Sequence, residues 1–153
     1  MLNYNNVLKD ELNHNGLSIR EISPVMKLNL RGKKREFFTT VGKNLNMILP
    51  TEANTSSVSD KLTSIWLSPD EWMIVSNETI QKDNNRYELE ESLYNNISKT
   101  NLGAVTDVTD QFVLLELKGE NIFELFASGS PFNFNEFKEK KGSATQTLLN
   151  NID

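Results

Sequence analysis

Two stretches near the N-terminus alternate apolar and polar residues with a period of two. The first runs from Leu17 to Ile22 and the second from Lys27 to Arg31, with Ser23-Pro24 between them. Side chains of a β-strand point alternately to the two sides of a sheet, so this alternation is typical of strands with one buried and one solvated face. The sequence therefore predicts two such strands.

Three other stretches repeat their apolar residues at helical spacing. From Lys33 to Leu45 these residues fall three and four positions apart, which predicts a short amphipathic helix. A second helix is predicted to begin near Arg86, after a loop over residues 81–85. Gly119 opens a third, and Gly129 is its expected stop, because glycine readily adopts the conformation that ends helices.

Both tryptophans lie in the stretch IWLSPDEWMIV, residues 65–75. Ser68, Pro69 and Asp70 suit successive positions of a type I turn, since proline fixes the backbone angle that the second position needs. The flanks are rich in aromatic and branched residues, so the stretch predicts an antiparallel hairpin. Its tryptophans fill the core in one interpretation and contact another protein in the other.

The remaining pattern adds strands at residues 104–108, 112–117 and 144–149, with Thr109-Asp110-Gln111 as a hairpin turn between the first two. Residues 51–59 have the composition of a surface loop and residues 1–16 that of a polar leader. Strands with short connections, interspersed with helices, indicate an α+β fold with an antiparallel sheet and helices packed on one side. At 153 residues a single domain over residues 1–153 is expected.

Composition narrows the function. The net charge is −5 and both signs are interspersed, so no surface is marked for nucleic acid. The absence of cysteine excludes disulfides, thiolate metal sites and cysteine nucleophiles, and it favours a reducing cytoplasm. The first sixteen residues lack the charge and apolar pattern of a signal peptide, and no apolar run reaches the roughly eighteen residues of a membrane helix.

Candidate catalytic residues are few. The seven glycines are scattered without a nucleotide-binding motif, and His14 is the single histidine, which leaves no general base for a serine triad. Asp70 and Glu71 are neighbours that a strand would point to opposite faces. Asp107 and Asp110 bracket a predicted turn and are interpreted as turn acceptors.

Two further segments keep alternatives open. The basic run at residues 32–35 is interpreted as a solvated junction between strand and helix, or as a contact with an anion or partner. Phe132, Phe134 and Phe137 lie in an irregular segment, and aromatic residues there need a place to be buried. That place is either beneath the sheet of this domain or in another protein.

Six sequence blocks, in order, resemble the gamma subunit of heterotetrameric sarcosine oxidase. They are LNLRG at 28–32, LP at 49–50 with NT at 54–55, WLSPDEW at 66–72, AVTDVTDQFVLLELKG at 104–119, SPFNF at 130–134 and SATQT at 143–147. The resemblance runs from about Leu17 to Leu149. It implies a fold similar to the folate-binding domain of aminomethyltransferases, with ferredoxin-like elements.

The resemblance also implies a function. In that family the gamma subunit is a non-catalytic, structural part of a flavin enzyme that demethylates sarcosine to glycine and passes the one-carbon unit to tetrahydrofolate. FAD, FMN, NAD, tetrahydrofolate and zinc are expected on the alpha, beta and delta subunits and none on this chain. The positions expected to contact those subunits are Trp66, Pro69, Asp70, Glu71, Trp72, Phe132, Phe134, Gln146 and Thr147.

This chain departs from the family pattern at three places. Asn133 stands where many members have aspartate, and Leu148 where an arginine commonly follows Gln-Thr. Members usually continue beyond this point with another strand pair and a helix, so an open sheet edge is expected near Asp153. Three alternatives to the leading hypothesis stay open: the equivalent subunit of an oxidase or dehydrogenase for another N-methyl amino acid, a free-standing folate-binding protein, and an α+β binding module with no link to amine oxidation.

Overall fold

The computed structural model describes residues 5–22, 24–79, 87–137 and 140–150. These residues form an α+β fold with antiparallel sheets, which confirms the predicted fold class. The strands are β1 (Leu12–His14), β2 (Leu17–Glu21), β3 (Val25–Arg31), β4 (Ser56–Val58), β5 (Leu62–Ser68), β6 (Glu71–Thr79), β7 (Ala104–Asp107) and β8 (Leu115–Gly119). The helices are α1 (Arg35–Leu45), α2 (Tyr87–Leu93), which continues as a π-helical turn (Tyr94–Ser98), and α3 (Ile122–Gly129).

The main core lies between a five-stranded sheet, in the order β4-β5-β6-β3-β7, and the helices on one of its faces. Alternate residues of the two central strands point to these helices, as the period of two requires. The burial of large apolar side chains on one face stabilises this layered arrangement. The buried members of the cluster are Met26, Leu28, Leu30, Phe37, Val41, Leu45, Leu49, Trp72, Ile74, Leu93 and Ile97.

Helix α1 lies within the predicted range and begins at Arg35. Its buried residues Phe37, Val41 and Leu45 are each four positions apart, so they form one stripe against the sheet. The helix ends where Asn46 adopts a left-handed conformation (φ 49°), and the Asn46 amide donates to the Gly42 carbonyl. Helix α2 begins at Tyr87, beside the predicted start, and the loop predicted at residues 81–85 lies outside the described residues.

A second, three-stranded sheet has the order β1-β2-β8. Strand β1 falls inside the predicted polar leader, and a tight turn at Asn15 and Gly16, both with positive φ, folds it back on β2. Across β2 and β8, the Arg20 guanidinium lies 2.5 Å from a Glu116 carboxylate oxygen, and Lys118 lies 3.0 Å from the same oxygen. Hydrogen bonds from these two cations lower the pKa of Glu116 to about 2.

The hairpin predicted from residues 104–108 and 112–117 is wrong. Strand β7 pairs with β3 and strand β8 pairs with β2, so the two strands belong to different sheets. The reason lies in the connection. The Val108 amide donates to the Lys27 carbonyl and the Lys27 amide donates to Thr109 Oγ1, which holds a 3₁₀ turn (Thr109–Gln111) against β3 and directs the chain away from β7.

Two other predicted boundaries are corrected. The loop predicted at residues 51–59 contains β4, which adds a fifth strand to the edge of the sheet beside β5. Among the described residues, the strand predicted at residues 144–149 does not form a ladder. Residues 144–148 lie outside any strand, and Ser143 just before them makes an isolated bridge with Thr55. Gly129 is the last residue of α3, as predicted. The prediction that Gly119 opens this helix is wrong, because Gly119 still pairs with Leu17 as the last residue of β8 and the helix begins at Ile122.

Candidate functional site

The segment from Ala144 to Leu149 crosses the protein surface between β4 and the end of α3. The Ala144 amide donates to the Asn54 carbonyl over 2.9 Å, and the Asn150 amide donates to the Gly129 carbonyl over 2.7 Å. Between these anchors, the Thr147 hydroxyl lies 2.8 Å from the Ser130 hydroxyl. The segment is therefore held at both ends and at Thr147 between them.

An open groove of about 790 Å³ runs along this segment, and we call it the phenylalanine groove. Its lining includes Phe112, Phe123, Phe126, Phe134 and Phe137, together with residues 143–149. The Phe134 ring stacks on the Phe126 ring at a centroid distance of 5.3 Å, and the Phe132 ring lies 5.0 Å from the Phe134 ring. The irregular corner at residues 130–134 thus packs its aromatic side chains within this domain, with Phe134 buried.

The rim of the phenylalanine groove is apolar and exposed. Phe112, Leu148 and Leu149 line the groove and are 50%, 43% and 41% exposed. Large apolar side chains that converge on one concave surface are typical of binding sites for another molecule. The groove is therefore the strongest candidate for an interaction surface on the described part of the chain.

The tryptophan hairpin forms as predicted, with Pro69 and Asp70 in the turn and Trp66 directly opposite Trp72. Trp72 is 1% exposed, its indole N–H donates to the Pro50 carbonyl over 2.8 Å, and its ring lies 5.2 Å from the Phe38 ring. This confirms the core interpretation for Trp72. Its side chain offers no surface to a partner, whereas Trp66 is half-buried and Pro69 is exposed.

The acidic pair of the hairpin, Asp70 and Glu71, contacts two basic residues at the end of β3 and just after it. Asp70 lies 3.3 Å from Lys33 Nζ, and Glu71 lies 3.5 Å from the Arg31 guanidinium. Hydrogen bonds from the Ser68 hydroxyl and from Lys33 lower the pKa of Asp70. Each carboxylate thus has its own cation at the end of the sheet.

One contact joins the hairpin to the C-terminal segment. Gln146 Nε2 donates to the Leu67 carbonyl over 3.0 Å. The pairing register of β5 and β6 shifts between Trp66 and Ser68, so Leu67 sits at a bulge of the hairpin. The predicted contact positions Gln146 and Thr147 therefore lie between the tryptophan hairpin and the irregular corner at residues 130–134.

Lys27 is a buried charged residue that the sequence reasoning did not single out. Its Nζ donates to the carbonyls of Thr109 and Val25 over 3.1 and 3.2 Å. Burial lowers the pKa of Lys27, and the nearby Asp107 and Asp110 oppose that shift. Asp107 also accepts the Thr109 amide at 2.8 Å, which confirms it as a turn acceptor. The available signal was a lysine inside the otherwise apolar start of β3.

Across residues 5–22, 24–79, 87–137 and 140–150, no group of three or more histidine, aspartate and glutamate side chains is arranged to hold a metal ion. None of the helices described is long and apolar enough to cross a membrane. His14 is exposed at the end of β1.

Similarity to known proteins identifies the fold and the family of this chain. No curated protein matches the chain by sequence. Among solved structures, the chain is similar to one chain of the heterotetrameric sarcosine oxidase from Corynebacterium sp. U-96 in complex with pyrrole 2-carboxylate, with a TM-score of 0.75 at 20% identity. The similarity covers 89% of this chain and 67% of that chain, and it shows a shared fold.

The family assignment rests on a separate match. The model of the family described as "Sarcosine oxidase, gamma subunit family" matches residues 32–150, which is most of the chain. The matched range includes the tryptophan hairpin, the irregular corner at residues 130–134 and the Gln146-Thr147 segment. It confirms the resemblance carried by the sequence blocks. This chain therefore belongs to the sarcosine oxidase gamma subunit family.

Proposed function

We propose that this chain is the non-catalytic gamma subunit of a heterotetrameric, flavin-dependent sarcosine oxidase, and that it binds another subunit through the phenylalanine groove. The observation that carries the proposal is the exposure of Phe112, Leu148 and Leu149 around a groove lined by further phenylalanine rings. Exposure of such an apolar surface to water is unfavourable for an isolated chain, whereas burial of apolar area drives association.

The predicted contact positions divide into two groups around this groove. Phe132, Gln146 and Thr147 belong to the groove or its immediate border, and Phe134 supports them from inside. Trp66, Pro69, Asp70 and Glu71 are in or beside the hairpin turn, which the bond from Gln146 to Leu67 connects to the same surface. Trp72 acts from the core by holding that hairpin in place.

In this proposal, the other subunits carry out the chemistry. The complex oxidises sarcosine to glycine and transfers the one-carbon unit to tetrahydrofolate. FAD, FMN, NAD and zinc belong to the alpha, beta and delta subunits, and this chain contributes structure. We place the complex in the cytoplasm, in keeping with a chain that contains no cysteine.

Purification of the tagged chain from its native lysate tests the proposal. The expected result is a yellow complex with two further large subunits and one small one, whose flavin absorption is bleached by sarcosine. Bleaching by a different N-methyl amino acid instead would assign the chain to an oxidase or dehydrogenase for that substrate. A colourless protein without partners would contradict the proposal.

A pair of variants then tests the surface. Phe112→Ser removes an exposed ring from the groove rim, and Ile48→Ser removes a side chain that is 85% exposed in the connection between α1 and β4. Loss of the complex with Phe112→Ser alone supports the groove as the binding surface. Equal recovery of the complex with both variants would show that the groove is not the contact.

The folate-binding alternative has its own measurement. Trp66 is half-buried near the surface, so a reduced folate bound beside the hairpin is expected to quench tryptophan fluorescence. A flat titration removes this alternative. Saturable quenching of the isolated chain would favour it over a purely structural role.

A further inference from the structure

Four cationic residues lie together where β3 passes into α1, and we call them the basic corner. They are Arg31, Lys33, Lys34 and Arg35, and all four are exposed. The chain as a whole has a net charge of −5, so this cluster opposes the overall charge. A local excess of one sign of charge attracts groups of the other sign.

Contacts within the described part of the chain use little of this charge. The two cations that have a carboxylate partner, Lys33 and Arg31, keep 81% and 59% of their side chains exposed. Arg31 approaches Glu71 with one nitrogen at 3.5 Å, although a guanidinium carries five N–H donors. Neither Lys34 nor Arg35 forms an ion pair with another described residue. The basic corner therefore has donors left for further carboxylates.

The stability of α1 does not account for Lys34 and Arg35. Lys34 is the N-terminal cap residue, and its side chain makes no capping hydrogen bond. Arg35 is the first residue of the helix. Cations at this end interact unfavourably with the helix dipole, which favours negative groups there. Carboxylates placed beside these two side chains would offset that repulsion.

The backbone of the basic corner is held in place. The Gly32 amide donates to the Asp70 carbonyl over 3.0 Å, and the Phe37 amide donates to the Lys34 carbonyl over 2.9 Å. The buried Phe37 ring packs so closely against Gly32 that a side chain at this glycine would collide with it. Binding therefore has to order only the cationic side chains, which limits its entropic cost.

The surroundings favour an acidic polypeptide over a nucleic acid. Glu36, Asp70 and Glu71 lie among the cations, and their carboxylates repel a continuous row of phosphates. A polypeptide can place single carboxylates beside Lys34 and Arg35 and leave the acidic residues uncovered. A two-fold pair of copies centred on the corner is a poor fit, because it would bring the same cations face to face.

We infer that the basic corner binds an acidic segment of another oxidase subunit, whose carboxylates pair with Lys34 and Arg35. The corner borders the turn of the tryptophan hairpin through the contact between Lys33 and Asp70. A partner that covers the predicted contact positions in this turn therefore also reaches the corner. The inference rests on the proposed function, which supplies the partner subunit.

A pair of double variants tests the inference. Lys34→Gln/Arg35→Gln removes two cations from the corner. The matched control, Lys43→Gln/Lys61→Gln, removes two exposed cations from the last turn of α1 and from the connection before β5. Each full-length variant is expressed in the native host with an equal amount of a differently tagged wild-type chain. The ratio of the two chains in the purified flavin complex is measured, followed by the release of each chain at about 0.1 M and about 1 M salt.

The expected result is a selective, salt-dependent loss. Lys34→Gln/Arg35→Gln is depleted roughly twofold to thirtyfold, as expected for two exposed ion pairs, whereas the control is not. At about 0.1 M salt the complex releases this variant more readily than the wild-type chain, and at about 1 M the difference disappears because salt screens the charges. The isolated variant unfolds at or above the temperature of the wild-type chain, since the two cations do not support α1.

Other results overturn the inference. Incorporation of Lys34→Gln/Arg35→Gln at the level of its control would show that the corner is not a contact, while the flavin complex would still support the subunit function. A depletion that salt does not change, or one with a lower unfolding temperature of the isolated variant, would indicate a role in folding. Equal depletion of both double variants would indicate an effect of net charge.

The remaining outcomes identify a different partner or none. Nuclease treatment that abolishes the depletion would identify nucleic acid as the occupant of the corner. A wild-type homodimer that Lys34→Gln/Arg35→Gln dissociates would assign the corner to a second copy. Failure of the wild-type chain to enter any flavin complex would remove the proposed function and the inference together.

Discussion

The side-chain amide of Gln146 donates a hydrogen bond to the carbonyl of Leu67, 79 residues away in the sequence. Leu67 lies where the pairing register of β5 and β6 shifts, at a bulge of the tryptophan hairpin. The bond fixes the C-terminal segment to the tryptophan hairpin. The two parts of the candidate surface therefore keep a set position relative to each other.

Gln146→Ala is expected to weaken this connection. One exposed hydrogen bond contributes about 0.5–1.5 kcal/mol, and the free energy of unfolding should fall by an amount near the lower end. Urea unfolding measures the change, with Thr145→Ala as the control because the side-chain hydrogen bonds among the described residues do not include Thr145. Identical midpoints for the two variants would show that the bond does not contribute.

The two opposed tryptophans should differ in their contribution to stability. Trp72→Ala leaves a large cavity among core rings and the Pro50 carbonyl without its donor, and we expect a loss of about 3–5 kcal/mol. Trp66→Ala removes a half-buried ring and should cost clearly less. Chemical unfolding of both variants measures the difference, and equal losses would contradict the larger contribution expected from the more deeply buried Trp72.

The pairing of Glu116 with Arg20 and Lys118 predicts a pH dependence. The pKa of Glu116 is lowered from 4.5 to about 2, so its carboxylate stabilises the folded state above about pH 4.5. The contribution is lost as the pH falls towards about 2, because the folded state must then take up a proton. The wild-type chain should unfold at a higher temperature than Glu116→Gln near neutral pH, and the two should converge in acid. Glu120→Gln, at an exposed carboxylate just after β8, is the control. A difference in unfolding temperature between the wild-type chain and Glu116→Gln that persists unchanged at about pH 2 would contradict the prediction.

Gly103→Ala should destabilise the packing of β7 on β3. A methyl group at Gly103 would meet the Arg31 carbonyl oxygen and come within 2.9 Å of the Phe37 ring. Overpacking of this kind costs about 1–3 kcal/mol. In Gly42→Ala the added group meets only the Met47 carbonyl oxygen, at 3.2 Å, so its cost should be smaller. Thermal unfolding compares the two, and a tolerated Gly103→Ala would contradict the close approach.

Local patterns predicted most of the main sheet and helix α1. The alternation of β3, the turn chemistry at Pro69 and the helical spacing of Phe37, Val41 and Leu45 each act over a few residues, so they are visible in the sequence. The family resemblance was visible for a similar reason, since it rests on short blocks in a fixed order. The Asp107 acceptor also followed from turn chemistry.

Long-range choices of partner were not visible. Residues 104–107 and 115–119 have the composition of paired strands, yet each finds a different neighbour, because Lys27 and Thr109 divert the chain between them. Strand β1 was missed because its side chains are exposed and carry no apolar alternation. The phenylalanine groove is formed by α3 and the C-terminal segment together, so the sequence indicated only some of its residues, namely Phe134, Phe137, Gln146 and Thr147.

The three-stranded sheet has a consequence for the order of events during synthesis. Its Arg20–Glu116 contact joins residues 96 positions apart, so the β1-β2 hairpin leaves the ribosome long before β8 exists. All strands of the five-stranded sheet precede β8 in the chain. Closing so long a loop is slow, and local hairpins form earlier. The β1-β2 hairpin therefore keeps one unpaired edge until β8 has been made, and the three-stranded sheet is completed late in the folding of the newly made chain.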